Sequence, residues 1–368
     1  MGFESDPRIV LTLDAGGTKL AFSAVRGREE IGEPFILPAM ADDLAACLRQ
    51  IRLGFAEVHS RTGRAAVAIS FAFPGPADYA RGIIGDLGNL PAFRGGVALG
   101  PMLEDAFGLP VFLNNDGDLF ALGEAIEGFL PEVNAQLAAA GSERRYRNLL
   151  GVTVGTGFGA GLVHDGRLFL GDNGAAAEIW LVRHKLERDA FAEEGVSIRA
   201  VRRAYAAAAG LPLEEAPEPK AIAAIARGEQ RGDATAAREA FRRLGEVAGD
   251  ALANALTLVD GLVVVGGGLS GASPLFLPAL VAELNGTIST VDGQRVPRLE
   301  LRAFNLEDAN ERDAFLAGEA RAIPVPGSDR TVPYDPGKRI GVGVSRLGTS
   351  RAVALGAYAF ALEALSDR

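Results

Sequence analysis

Short apolar runs that end in glycine or in polar side chains set the layout of this chain. Residues 9–13, IVLTL, are rich in β-branched and leucine side chains, as a buried strand is. They lead into Asp14, the turn Ala15-Gly16-Gly17-Thr18, Lys19, and a second run over 20–25 that alternates like a strand. The spacing predicts a β-hairpin with two glycines and a lysine at its tip. Glycine reverses the chain at φ > 0 without strain, and its missing Cβ lets backbone N–H groups approach an oxyanion. A P-loop needs a lysine after its second glycine and then a helix, and this stretch offers neither. The compact ammonium of Lys19 suits a phosphate contact; the plainer reading is a solvated lysine on an ordinary hairpin.

Further on, apolar positions recur at helical spacing over 42–54, and 66–73 reads as a buried strand closing on Phe73-Pro74-Gly75-Pro76. Asn89-Leu90-Pro91-Ala92-Phe93 is a loop headed by a polar residue. A helix is predicted over 99–107, ending at Gly108. A short strand over 109–113 then delivers Asn114-Asn115-Asp116, with a helix following over 118–129. Ligands in open α/β sheets sit at the carboxyl ends of strands. Three such ends have appeared, after 13, 73 and 113.

Residues 149–163, LLGVTVGTGFGAGLV, repeat the opening pattern: apolar strand, glycine turn at Gly155-Thr156-Gly157, apolar strand. The later glycines resemble part of a dinucleotide fingerprint, but that motif needs a helix next and a strand follows. Glu178 ends a small-residue run. A helix is expected over 187–210, with Glu193, Glu194 and Ser197 near its middle, and further helices over 220–228 and 233–259. Residues 261–265 form a buried strand that enters Gly266-Gly267-Gly268. The stretch 286–340 is proline-punctuated and less regular, with one short helix near 310–316. A final helix covers 351–365.

At 368 residues the chain exceeds the usual size of one core, so two domains are expected. Glycine, at 47 residues, is nearly twice its usual share of ~7%. The net charge of −10 argues against nucleic-acid binding, which wants a basic face. Cys47 is the single cysteine, so the chain contains no internal disulfide. No apolar run reaches membrane-spanning length, and no signal-like segment precedes Ile9. A cytoplasmic enzyme is the expectation.

Taken in order, DAGGTK (14–19), AFPGPAD (72–78), NLPAF (89–93), VFLNNDGDLFALGE (111–124), VTVGTGFGAGLV (152–163), VVVGGGLSG (263–271) and SRLGTSRAVALGA (345–357) resemble the ROK family of sugar kinases in the hexokinase–actin superfamily. The resemblance implies an α/β fold of two ribonuclease-H-like, actin-like ATPase domains flanking a cleft. The domains would span 1–118 plus 352–368 and 119–351, with an added segment at about 286–340. It implies a hexose kinase, glucokinase-like, using ATP and Mg²⁺, with a sugar as second substrate and a homodimer as its assembly. Asp116 matches the catalytic carboxylate and Asp14 the aspartate near the magnesium-bound phosphates. Gly16, Gly17, Thr18 and Lys19 match the first phosphate turn, Gly155, Thr156 and Gly157 the second, and Gly266, Gly267 and Gly268 the adenosine motif. Asn89, Asn115, Glu178 and Glu193 match sugar ligands, Glu194 being the near alternative to Glu193.

The chain departs from that pattern after Glu178, where the family carries a histidine and then a cysteine cluster that binds zinc. Ile179-Trp180-Leu181-Val182-Arg183 follows here, and histidines occur only at 59, 164 and 184, so no structural zinc is expected. The alternative is a catalytically degenerate sugar-binding regulator of the same family. Residue by residue a plainer role competes: Asp116 as a helix N-cap, Asn89 as a turn former, Glu193 and Glu194 as a solvated helix face, Trp180 as packing.

Overall fold

The structure, a computed structural model, describes residues 5–16, 18–87 and 90–366. Its contacts gather the chain into two compact units. One runs to Gly128 and also takes Gly161–Ala176 and the chain from Leu347 on; the other comprises Phe129–Ala160 and Ala177–Arg346.

The first unit opens with the expected hairpin, β1 (Ile9–Ala15) and β2 (Lys19–Arg26), paired antiparallel from Val10↔Val25 to Ala15↔Leu20. Short strands β3 (Glu29–Glu30) and β4 (Phe35–Pro38) both pair with β2. Helix α1 (Leu44–Arg61) starts at Asp43, whose side chain accepts a hydrogen bond from the Ala46 amide as an N-cap does. Strand β5 (Ala66–Ala72) runs parallel to β1. After the small ribbons β6 (Ala77–Asp78), β7 (Ile83–Ile84) and β8 (Val97–Ala98) come α2 (Leu99–Phe107) and β9 (Val111–Asn114), the latter parallel to β5. The resulting order β3-β2-β1-β5-β9 puts the carboxyl ends of β1, β5 and β9 along one edge. Phe22, Phe55, Phe71, Phe73 and Phe93 fill the core beneath, Phe22 meeting Phe55 edge-on at 5.1 Å between ring centres. Each such ring contributes about 1.5–3 kcal/mol of burial. Gly54 on α1 is what lets Phe22 in, because a Cβ there would overlap the ring.

Helix α3 (Asp116–Ile126) follows β9 directly and stops three residues short of the expected 129. Glu127 caps it, and a second helix, α4 (Phe129–Ala139), begins the other unit. Next come β10 (Leu149–Val154), β11 (Phe158–His164) and β12 (Arg167–Leu168), the strand–turn–strand that the glycine pattern predicts. Residues 187–197 do not join the expected helix. The 3₁₀ turn Ala192–Glu194 precedes Ser197, and α5 spans only Ile198–Ala209. The charged spacing there serves ion pairs between Glu193, Glu194, Arg199 and Arg203 rather than a solvated helix face.

Helices α6 (Pro219–Arg227) and α7 (Ala234–Val259) precede β13 (Leu262–Gly266) in the chain, and α8 (Ser273–Leu284) follows it. Gly245 and Gly249 let α8 press against α7, backbone to backbone. The stretch 286–340 is more ordered than its prolines suggest. It holds two hairpins, β14 (Thr287–Ser289) with β15 (Arg295–Pro297) and β17 (Arg321–Pro324) with β18 (Thr331–Tyr334). Between them lie β16 (Arg302–Asn305) and α9 (Ala309–Ala317). Strands β16 and β19 (Arg339–Val344) are parallel members of the second sheet, ordered β12-β11-β10-β13-β19-β16. Glycine at 341 and 343 hides β19 in the sequence; side chains there would overlap Leu306 and Phe129. The last helix, α10 (Thr349–Ser366), lies against α3, β1 and β5 of the first unit.

Candidate active site

In the first unit the ends of β1 and β9 carry the candidate groups. Asp14 is the penultimate residue of β1, exposed, and Ser350 Oγ donates to its Oδ2 at 3.3 Å. Beyond it Gly16 N donates to Lys19 O at 3.0 Å across the turn, and Thr18 and Lys19 are exposed. Gly17 lies outside the described residues, as does Asn89. On the edge two strands away, Asn115 is the N-cap of α3, its Oδ1 accepting from Gly117 N at 2.7 Å. The cap role that competed for Asp116 therefore belongs to its neighbour. Asp116 occupies the first helical turn, and its Oδ1 also accepts from Gly117 N, at 2.9 Å.

Asp116 is an exposed residue whose carboxyl is partly desolvated by the protein around it. That desolvation lifts its pKa above the ordinary carboxylate value. The Gly117 amide opposes the shift, and the Asp14 charge adds to it.

In the second unit two glycine turns lie side by side. The Gly155-Thr156-Gly157 turn closes through Gly155 N to Gly157 O at 2.9 Å. Ile198 N donates to Gly155 O at 2.8 Å, and Phe158 N donates to Glu193 Oε2 at 3.0 Å. Glu193 Oε1 in turn takes Arg199 at 2.7 Å. Glu193 therefore underpins the turn while each carboxylate oxygen retains acceptor capacity. Gly266 ends β13, and Gly267 has φ +89°, with its Cα so near Val154 that a Cβ would overlap the backbone. Gly268 is exposed, and a Cβ there would meet no protein atom within 4 Å.

Glu178 is exposed at the head of the 3₁₀ turn Ile179–Leu181, and the Trp180 indole N–H donates to its Oε2. Trp180 does pack, edge-on against Phe191 at 5.6 Å, and it also orients a candidate ligand. Sequence reasoning passed over that second role, and over Ser350 and Arg199. A Ser near the start of the closing helix and an Arg six residues beyond Glu193 were the available signals. Among the described residues no group of three or more His, Cys, Asp or Glu gathers to hold a metal ion. No described helix is long and apolar enough to cross a membrane.

The ROK family model matches residues 10–310. A solved glucokinase from Parabacteroides distasonis is 53% identical, with a TM-score of 0.89 and 99% of each chain covered. An N-acetyl-D-glucosamine kinase from Aliivibrio salmonicida is 30% identical over 275 residues, 72% of this chain and 85% of that one. A ROK family glucokinase from Streptomyces griseus, solved with glucose and AMPPNP, is 20% identical and shares the fold, with a TM-score of 0.59 over 95% of this chain and 98% of its own. The architecture is the actin-like ATPase type, and the chain belongs to the ROK family.

Proposed function

We infer that this protein is an ATP-dependent hexose kinase, with glucose as its first acceptor and Asp116 as general base. The observation that carries the reading is the pair of carboxylates at the carboxyl ends of β1 and β9, on the same edge of one sheet with β5 between them, Asp14 and Asp116, with Asp116 held above its ordinary range. Phosphoryl transfer asks for positioning and charge neutralisation more than for covalent help. A base works best with a pKa near the working pH, so a lifted carboxylate accepts a hydroxyl proton better than a free one. As the sugar oxygen attacks the γ-phosphorus, the bond from that phosphorus to the β–γ bridging oxygen breaks, ADP leaves with the bonding pair, and Asp116 takes the hydroxyl proton. Thr18, Lys19 and the turn amides offset charge on the phosphate oxygens.

Asp14 fits a divalent ion, because Ser350 engages one oxygen and no described residue is bonded to the other at this exposed strand end. Mg²⁺, bound chiefly by substrate phosphates, supplies charge neutralisation when present. Gly155, Thr156 and Gly157 receive phosphate, and Gly266, Gly267 and Gly268 receive adenosine; the open space at Gly268 supports that role. Asn89, Asn115, Glu178 and Glu193 hold sugar hydroxyls.

Glucose is favoured by the Parabacteroides glucokinase at 53% identity over nearly the whole chain. N-acetylglucosamine is the second reading, favoured by the kinase from Aliivibrio at 30%. A coupled ADP-release assay over glucose, N-acetylglucosamine and mannose, with Asp116→Ala beside the wild type, tests both. Turnover that survives the substitution rejects the role of Asp116. Sugar binding without any turnover returns the protein to a regulatory role.

A further inference from the structure

His184 is the one buried histidine among the described residues, only 6% exposed, and the reaction above makes no use of it. Its Nδ1 accepts two backbone N–H groups, from Leu186 and Glu187, each at 3.0 Å. A nitrogen that accepts twice carries no proton, so the ring is neutral with its hydrogen on Nε2. On the other side Gly195 lies against the ring, so close that a Cβ would overlap Nε2. The chain between these contacts folds back on itself: His184 N donates to Ala190 O at 3.0 Å and Ala192 N to Val182 O at 2.7 Å. The same loop carries Phe191, against which Trp180 packs, and Glu193, which underpins the Gly155–Gly157 turn. Glu193 O receives the Ser197 hydroxyl at 2.9 Å and the Val196 amide at 3.1 Å, just beyond the glycine that touches the imidazole.

We propose that His184 is a positioning residue, whose neutral imidazole clamps residues 183–195 and so holds Glu178 and Glu193 in place for the sugar, and that its protonation releases the clamp. A proton on Nδ1 would point a donor at two donors, and both amides would lose their acceptor. The groups facing the ring are Glu187 on the loop, Glu194 on the 3₁₀ turn, Arg203 on α5 and Arg243 on α7. Burial opposes the cation most and the two arginines join it, while the two glutamates pull the other way. The net result holds the imidazole below its ordinary 6.5. The unfolded chain therefore binds more protons below that value than the folded loop does. Loop stability is complete above about pH 6.5 and falls as the medium is acidified. A cavity of about 540 Å³ lined by His184, Leu186 and Arg243 gives water access to the ring.

The kinetic part of this inference rests on the hexose-kinase reading; the spectroscopic part does not. Trp180 is the only tryptophan in the chain, so intrinsic emission reports on this loop with neither sugar nor ATP present. Emission and sugar KM are followed from pH 8 to pH 5 for wild type, His184→Asn and His184→Ala. Asparagine offers Oδ1 as an acceptor near the position of Nδ1 and does not titrate. The expected result is a red shift in wild type on acidification, with sugar KM rising about tenfold, as for loss of one net hydrogen bond. The Asn variant stays flat in both, and the Ala variant is red-shifted at pH 8 already. If the Ala variant does not fold, the contrast between wild type and Asn carries the test. Wild-type emission that does not move, or an Asn variant that titrates like wild type, overturns the clamp. Absent turnover with a titrating emission defeats only the kinase reading.

Discussion

The two strand–turn–strand motifs look alike in sequence and are supported in opposite ways. Among the described residues of the tip, Gly16 N donates to Lys19 O and Thr18 O accepts from Ala39 N at 3.1 Å, and the Thr18 and Lys19 side chains are exposed. The Gly155–Gly157 turn is braced by a carboxylate, an arginine and a helix-end amide, all from residues 193–199. A braced turn is preorganised and depends on distant residues for its shape. The two turns should therefore differ in their sensitivity to substitution.

The largest expected effect is on chemistry rather than on either turn. Asp116→Asn should lower kcat about 10³-fold, within the range for losing a general base. It should not lower the melting temperature. A carboxyl raised in the folded state binds more protons there than when unfolded, so its contribution to stability is lost as pH rises, and the amide removes that penalty at pH 7. In wild type the acid limb of kcat should centre above 3.8; steady-state kinetics and thermal melting check both.

Gly267→Ala comes next. A side chain at φ +89° against the Val154 backbone should cost about 1–3 kcal/mol by denaturant melting, which would mark the second turn as rigid. Glu193→Gln separates hydrogen bonding from charge in the brace. The amide oxygen still accepts from Phe158 N, and the partner Arg199 side chain is 46% exposed, so the loss should stay near or below about 1 kcal/mol. A larger loss would mean that charge holds the turn. Lys19→Met should leave stability within about 0.5 kcal/mol while raising KM for ATP, in keeping with an open tip. Gly268→Ala should be the mildest for the fold, since its Cβ meets open space, with any change confined to nucleotide KM. A drop in melting temperature there would sink the contrast with Gly267.

Much of this arrangement was readable from residue order. The hairpin at 9–25, the strand end at Asn114-Asn115-Asp116 and the helix over 99–107 follow from local periodicity, and the structure has them at those places. Local pattern failed where tertiary contacts decide. Residues 187–197 carry helix-compatible spacing, but imidazole-to-amide bonds and four-residue ion pairing hold them as a loop. Strand β19 escaped notice because its alternate glycines are demanded by neighbours remote in sequence, Leu306 and Phe129. Asn115 was legible as a polar strand-end residue, but its capping bond to Gly117 is a matter of φ and ψ that composition does not carry.

Helix α10 has a consequence for biosynthesis. Gly123 and Gly356 let it lie backbone-close to α3, and the Tyr358 hydroxyl accepts from Gly27 N at 2.9 Å while reaching Arg8 O at 3.2 Å. The unit whose first strand leaves the ribosome earliest is thus closed by a segment translated after the whole of the other unit. During elongation the face of the nascent sheet that carries Val10, Val25 and Ala68 stays uncovered until Leu355, Tyr358 and Leu362 of α10 have been made.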